Sequence, residues 1–291
     1  MNHAFLIMAY NEPMLLARIV DRLKAPNHYM FIHIDKKSNI EEFKAYQPED
    51  SHTVYLGGGN REKVFWGGFS QIMTEIHLMR VSYSFQERMD YFHLISGQDY
   101  PCKSNEYIDT FFESHDGQSF LGYDIPQNPE LYAVRYRKYY FNDATYCDNV
   151  FLNLLKYPIK AIQKVIFLRP SIKGINKGPN WFSLHRQVIE YVLETIDRNK
   201  SLLNRLRYTA CMDEIFLQTI LATKQEELKI KNNYLRYIKW DKNYRHGNSP
   251  LFLTNKQYNS IITSDAIFCR KLSLDVSNDL LNHLDSYLSQ H

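Results

Sequence analysis

Ala4-Phe-Leu-Ile-Met-Ala9 runs into the turn Tyr10-Asn-Glu-Pro13, and then Leu15, Leu16, Ile19, Val20 and Leu23 recur at helical spacing. This stretch decides the fold. An apolar run with no polar alternation reads as a strand buried on both faces, as in a parallel sheet. Pro13 suits the first turn of a helix because its missing N–H would have had no partner there. Two further units repeat the pattern. Tyr29–Ile34 is apolar and ends in Asp35-Lys-Lys37, and Val54–Leu56 reads as a short third strand. Gly67-Gly68 precedes a helix carrying Ile72, Ile76, Leu78 and Met79. Tyr91–Ile95 reads as another strand, ended by Ser96-Gly-Gln-Asp-Tyr-Pro101. Ser104 is placed to cap a helix running through Phe112, and Phe120–Tyr123 is a further strand candidate. Strands alternating with helices predict an α/β fold with a Rossmann-like, mostly parallel central sheet flanked by helices.

Ligands of such sheets bind at the carboxyl ends of the strands. Asn11, Asp35 and Asp99 all follow strands and share one candidate cleft. Each also reads as an ordinary turn residue. The 291 residues suffice for one large domain, read as a nucleotide-binding half (1–123) and an acceptor and catalytic half (124–291). A net charge of +3 is too small to argue for a nucleic-acid partner. Aromatic residues reach 14%, with 22 Tyr, which suits contact with sugars but follows equally from genome composition.

Cys102, Cys147, Cys211 and Cys269 form no Cys-x-x-Cys pair, so a zinc site is not expected and a reduced setting is. The first residues lack the basic and long apolar segments of a leader or anchor. The expected location is cytoplasmic, with a peripheral place at the inner face of a membrane as an extension.

The second half is less regular. Tyr132-Ala-Val-Arg-Tyr-Arg-Lys-Tyr-Tyr140 interleaves basic and aromatic residues, which suits nucleic acid, a sugar or an anion; the near-neutral chain puts nucleic acid last. Lys156–Arg169 reads as a basic amphipathic helix. A helix docked on the core with a solvated basic face is the preferred reading, and contact with an anionic membrane is the alternative. Tyr208-Thr-Ala-Cys-Met-Asp-Glu-Ile-Phe216 sets two acids at the start of a helical run, where Asp213 reads as the N-cap.

Taken in order, Phe5–Pro13 with His33–Lys37, Val64-Phe-Trp-Gly-Gly-Phe-Ser70, His93–Pro101, and a C-terminal set resemble the core-2/I-branching β-1,6-N-acetylglucosaminyltransferase family, which includes the peptide O-xylosyltransferases. The C-terminal set is Trp181-Phe182, Asp213–Phe216, Tyr237–Trp240, Gly247–Pro250 and Ile267–Lys271. The resemblance runs from residue 4 to residue 272. It implies a GT-A-type, inverting glycosyltransferase that takes a UDP-sugar and works without a divalent metal. In agreement, Ser96-Gly-Gln-Asp-Tyr100 holds a single acid where other GT-A enzymes carry Asp-x-Asp. No cofactor is therefore expected.

The resemblance implies Glu214 as the general base and Arg270 with Lys271 as the diphosphate-binding pair, with Ser249 beside them. It implies Ala9, Tyr10, Asn11, Asp35, Trp66, Gly67 and Gly68 around the nucleotide, although Trp66 reads equally as core. Asp99 either orients the donor sugar or caps the turn at Lys103. Trp181 and Phe182 would shape the sugar pocket, and Trp240 the acceptor or diphosphate side. Asn180 stands where xylosyltransferase-like members often have an acid. GlcNAc is the preferred donor sugar and xylose the next, with a glycan or lipid-linked glycan as acceptor. Lacking the anchor and disulfides of vertebrate relatives, the chain resembles the catalytic domain of bacterial members. Two other readings remain: a silent nucleotide-sugar-binding module, and a metal-dependent GT-A transferase.

Overall fold

The computed structural model describes residues 1–147, 149–240 and 250–290. The first unit is β1 (His3–Ala9), α1 (Pro13–Leu23) and β2 (His28–Ile34). There follow α2 (Ile40–Tyr46), β3 (Thr53–Tyr55), α3 (Phe69–Tyr83), β4 (Tyr91–Ser96), the short β5 (Asp99–Pro101), α4 (Asn105–Ser114) and β6 (Ser119–Leu121). Ser104 caps α4 by accepting from Tyr107 N, as its position predicted.

The second half contributes α5 (Pro129–Arg137), α6 (Ala144–Cys147), α7 (Val150–Ile162), β7 (Phe182–His185), α8 (Arg186–Arg198), α9 (Lys200–Leu206) and α10 (Asp213–Leu221). It ends with β8 (Ile230–Lys231), β9 (Arg236–Ile238), α11 (Tyr258–Ile262), β10 (Phe268–Arg270) and α12 (Leu274–Leu288).

Seven strands form one sheet in the order β3-β2-β1-β4-β7-β6-β8. The pairings among β3, β2, β1 and β4 are parallel, and β7 runs antiparallel between β4 and β6. The expected mostly parallel sheet flanked by helices is present. Beyond residue 123, β7 and β8 join this sheet, while β9 and β10 pair with β5 in a smaller one.

The apolar run of β1 serves both faces. Ala4 and Leu6 join a core with residues of α3, α8 and α10. Phe5, Ile7 and Ala9 join another with α1, α4 and α12. Each fully buried Phe, Leu or Ile of this strand contributes about 1.5–3 kcal/mol of transfer free energy. That double burial is why the strand has no polar alternation.

Strand β2 lies on one side of β1 and β4 on the other, so the chain order reverses at the carboxyl end of β1. A crevice opens at such a switch point. Tyr10 and Asn11 sit there. A second, three-stranded sheet, β5-β10-β9, lies across this end. In it Arg270 pairs in register with Asp99 of β5 and with Ile238 of β9.

Two expectations are corrected. The basic amphipathic segment is not one helix over 156–169: α7 begins at Val150 and ends at Ile162. Nor does it dock its apolar side chains on the core. Of its apolar residues, Ile162, Val165, Ile166 and Phe167 are 43–87% exposed, and Ile159 is half-buried. The four cysteines carry no disulfide.

Candidate active site

The small sheet fixes the first cluster. Antiparallel pairing of β10 with β5 sets Arg270 beside Asp99, with Nη1 3.6 Å from Oδ2, an ion-pair distance too long for a hydrogen bond. Asp99 Oδ2 accepts instead from Ser96 N at 2.6 Å and from the Ser96 hydroxyl. The Arg270 guanidinium lies on the ring of Trp181, 3.8 Å from its centre. Arg270 is buried, and among the described residues neither its Nε nor its Nη1 finds a hydrogen-bond acceptor. Burial pushes its pKa down, and the charge of Asp99 holds it up. Lys271 is half-buried with Nζ over Phe252, its pKa lowered by burial and then by Arg270. Arg270 Nε and Nη1 are both shut off from solvent, so the candidate anion site is the pairing of this buried guanidinium with the half-buried Lys271 ammonium.

Sequence reasoning missed a third cation. Arg236 pairs in register with Phe268, its guanidinium over that ring, and donates to the carbonyls of Leu94, Phe182 and Tyr234. Burial, with Arg270 adding to it against Asp99, lowers its pKa to about 10. Its Nη1 and Nη2 donate to backbone, so it shapes the floor of the site, although its Nε finds no acceptor among the described residues. Periodicity gave no sign of this, because β9 is three residues long.

The second cluster surrounds the paired acids. Asp213 is the first residue of α10 and Met212 takes the capping position, so the expected N-cap role of Asp213 is not what the structure shows. Asp213 is buried and accepts from Gln71 Nε2 at 2.9 Å. Burial, followed by the neighbouring charge of Glu214, pushes its pKa from 3.8 to about 7. Glu75 of α3 is fully buried nearby, held well above the usual carboxylate range by burial and by Asp213, with Asn180 opposing.

Glu214 is partly open to solvent, with 34% of its side chain exposed. Its Oε2 is held by Arg135 at 2.6 Å and by Lys177 at 3.4 Å. Lys177 also reaches Asp124 at 3.0 Å. Arg135 comes from the basic–aromatic cluster flagged in the sequence, so one signal for it existed. Lys177 had none.

One short segment ties the two clusters together. Lys177 grips Glu214, Gly178 N donates to the Glu214 carbonyl, and Trp181 lies under Arg270. Trp181 is four positions after Lys177 (181 − 177), so their Cα atoms lie within about 14 Å.

The Trp66-Gly67-Gly68 loop borders the acids. Trp66 is 86% exposed and is not core. Gly67 has φ +64° and donates to Gln71 Oε1, while its carbonyl accepts from Cys211 N. A Cβ on Gly68 would stand 2.5 Å from Asp143 Oδ2. These glycines are needed for the loop's approach to the protein's own chain.

At the switch point Ala9 is buried, Asn11 is half-buried and Tyr10 is exposed. Asp35 is buried, with Oδ1 accepting from Lys37 N and Val64 N. Phe182 is fully buried in the core, so its side chain does not shape a sugar pocket. Trp240 is half-exposed and bridges to Pro250. Ser249 lies outside the described residues.

A model of the Core-2/I-branching enzyme family matches residues 3–262. The chain belongs to this family. The matched span stops before Arg270 and Lys271, whose place in the site rests on the geometry above. Similar relatives include Xylosyltransferase 1 of Rattus norvegicus, 24% identical over 288 residues, covering 94% of this chain and 34% of the relative. Xylosyltransferase 2 of Pan troglodytes is also 24% identical, covering 94% and 32% respectively. The chain thus spans about a third of the length of the curated relatives it matches. Among solved structures, apo mouse Xyloside xylosyltransferase 1 aligns with 92% of this family member and 96% of its own chain, at TM-score 0.40 and 11% identity.

Among the described residues, His3, His28 and Asp109 bring donor atoms within 4.8 Å of one another. His3 and His28 start β1 and β2, at the edge of the sheet opposite the cleft. No helix among the described residues is long and apolar enough to cross a membrane.

Proposed function

We propose that this chain is an inverting glycosyltransferase that moves a sugar from a UDP-sugar to a glycan hydroxyl without a divalent metal. The observation that carries the reading is Arg270, buried on Trp181 at the carboxyl end of the sheet and followed by the half-buried Lys271. Departure of UDP leaves negative charge on the β-phosphate. A fixed guanidinium and the Lys271 ammonium in a partly dry site stabilise that charge most when it has developed. Arg270 offers a fork to two phosphate oxygens and Lys271 a compact charge.

Glu214 is the general base. Its carboxylate takes the acceptor proton as the hydroxyl oxygen attacks the anomeric carbon and the bond to UDP breaks. Arg135 and Lys177 fix its orientation. Asp213, behind it and tied to Gln71, joins α10 to the Trp66-Gly67-Gly68 loop. The uridine end lies over Tyr10, Asn11 and Asp35 at the switch point, and Trp66 borders it. Among donor sugars, GlcNAc and xylose are both carried forward, and the names of the relatives speak for xylose.

Calorimetric titration with UDP, UDP-GlcNAc and UDP-xylose, in EDTA and then with magnesium, tests the reading. Binding in EDTA, tighter for one sugar nucleotide, is the expected result and names the donor. Binding that requires magnesium would overturn the metal-free diphosphate site. Binding without turnover on any glycan acceptor would favour a silent nucleotide-sugar-binding module.

A further inference from the structure

We infer that α7 and the segment after it dock on an anionic lipid surface. Residues 149–175 contain Lys156, Lys160, Lys164, Arg169 and Lys173 and no acidic residue at all. Along α7, Val150, Leu154, Tyr157 and Ala161 follow one another at steps of four, three and four, so they line one stripe. Val150, Leu154 and Tyr157 are 81%, 72% and 70% exposed, and Phe151 stands beside them at 68%. The chain after α7 adds Val165 at 87% and Ile166 at 52%. An apolar stripe of this extent on a charged helix is costly in water and calls for an occupant.

Charge and length choose that occupant. Lys156 and Lys160 are four apart on α7, so they flank the stripe on one side, and Lys164 follows just after the helix end. Such side chains lay their stems along apolar surface and keep their charge at the headgroups. Thirteen residues of helix, with Pro158 inside, are too short to span a bilayer and suit lying in its interface. Tyr157 fits the same depth, with an apolar ring and a polar tip.

Hydrogen bonds tie the surface to the candidate active site. Arg169 donates to the carbonyls of Tyr208 and Arg205 and lies over Tyr139. Gln163 Nε2 donates to Tyr139 O. Tyr208 is five residues before Asp213, and Ala210 N donates to Arg135 O. A membrane under α7 therefore lies beside the segment that carries Glu214. On the reading of the site as a glycosyltransferase, the acceptor class that follows is a glycan on a lipid anchor.

The test is sedimentation of the full chain with phosphatidylcholine vesicles, with and without phosphatidylglycerol, at low and high salt. Wild type is expected to pellet with the anionic vesicles and to be released by salt. Replacing Lys156, Lys160 and Lys164 by Ser should weaken partition about fivefold per lysine. Leu154→Glu with Val165→Glu should abolish it. UDP titration of each variant shows that the fold is intact and separates a failure of docking from a failure of the proposed function. No association of wild type with anionic vesicles overturns the inference, as does association unchanged in the Leu154→Glu, Val165→Glu variant. Concentration-dependent self-association that the same variants remove, without vesicle binding, would assign the stripe to a second copy instead.

Discussion

Arg270 lies over Trp181, its guanidinium carbon 3.8 Å from the centre of the indole ring. The contact holds the guanidinium against one face of the indole. Packing on an aromatic face also holds a cation in a dry place at little cost. The relationship makes the arginine, and not merely a positive charge, the required residue.

Arg270→Lys keeps the charge but loses the stack and the fork. It should weaken UDP binding about tenfold to a hundredfold, and Trp181→Leu should weaken it by less. Calorimetry reads both. Equal affinity for wild type and Arg270→Lys would show that the diphosphate does not meet this side chain.

Glu214→Gln preserves shape while removing the proton acceptor. Transfer should fall about 10²–10⁴-fold. UDP affinity should change little, because Glu214 serves the acceptor. Product formation measured by chromatography, set beside UDP titration, checks the split; near wild-type turnover would move the base elsewhere.

Asp213 gives a pH signature in stability. Its folded pKa, raised by burial from 3.8 to about 7, means that the native state binds this proton more tightly than the unfolded chain. Its stabilising contribution is full below the unfolded value and is lost as pH rises through about 7. Asp213→Asn mimics the protonated form and keeps an acceptor for Gln71. Urea midpoints at about pH 5 and about pH 8 should therefore differ less in Asp213→Asn than in wild type. An unchanged difference would mean that other groups, Glu75 first, carry the pH dependence.

Asp285 clamps α12 to α1 and β5. It accepts from Arg18 Nε at 2.9 Å, Arg22 Nε at 2.7 Å and the Tyr100 hydroxyl at 2.5 Å. Tyr100 is fully buried, so removing its acceptor strands a polar group. Asp285→Ala should cost about 2 kcal/mol of unfolding free energy in urea. A loss no larger than that of an ordinary exposed ion pair, under about 1 kcal/mol, would show that water replaces the carboxylate.

The strands and helices around β1 were legible because double burial writes itself into a sequence as unbroken apolar runs. Pro13, Gly67-Gly68 and Ser104 marked their boundaries through backbone chemistry that is local. Family motifs carried Glu214, Arg270 and Lys271 by position. What each of these does physically was not legible. Asp213 looked like a helix cap because an acid at a helix start has that local use. Only the packing of α3 against α10 buries it and sets Gln71 upon it. Phe182 looked like a pocket residue because it follows Trp181, yet strand alternation turns it into the core.

The sequence by itself determined the strand–helix order, the parallel sheet and the carboxyl edge at which a ligand sits. Periodicity and turn chemistry act over a few residues, and those features need nothing more. Only the tertiary structure decided that Arg270 lies over Trp181 beside Asp99, that Lys177 and Arg135 grip Glu214, and that α7 leaves Val150, Phe151, Leu154 and Tyr157 exposed. Arg270 and Asp99 are 171 positions apart in the chain (270 − 99). Whether a charge is buried, paired or left with donors to spare depends on which distant groups the fold brings against it, and no local pattern records that.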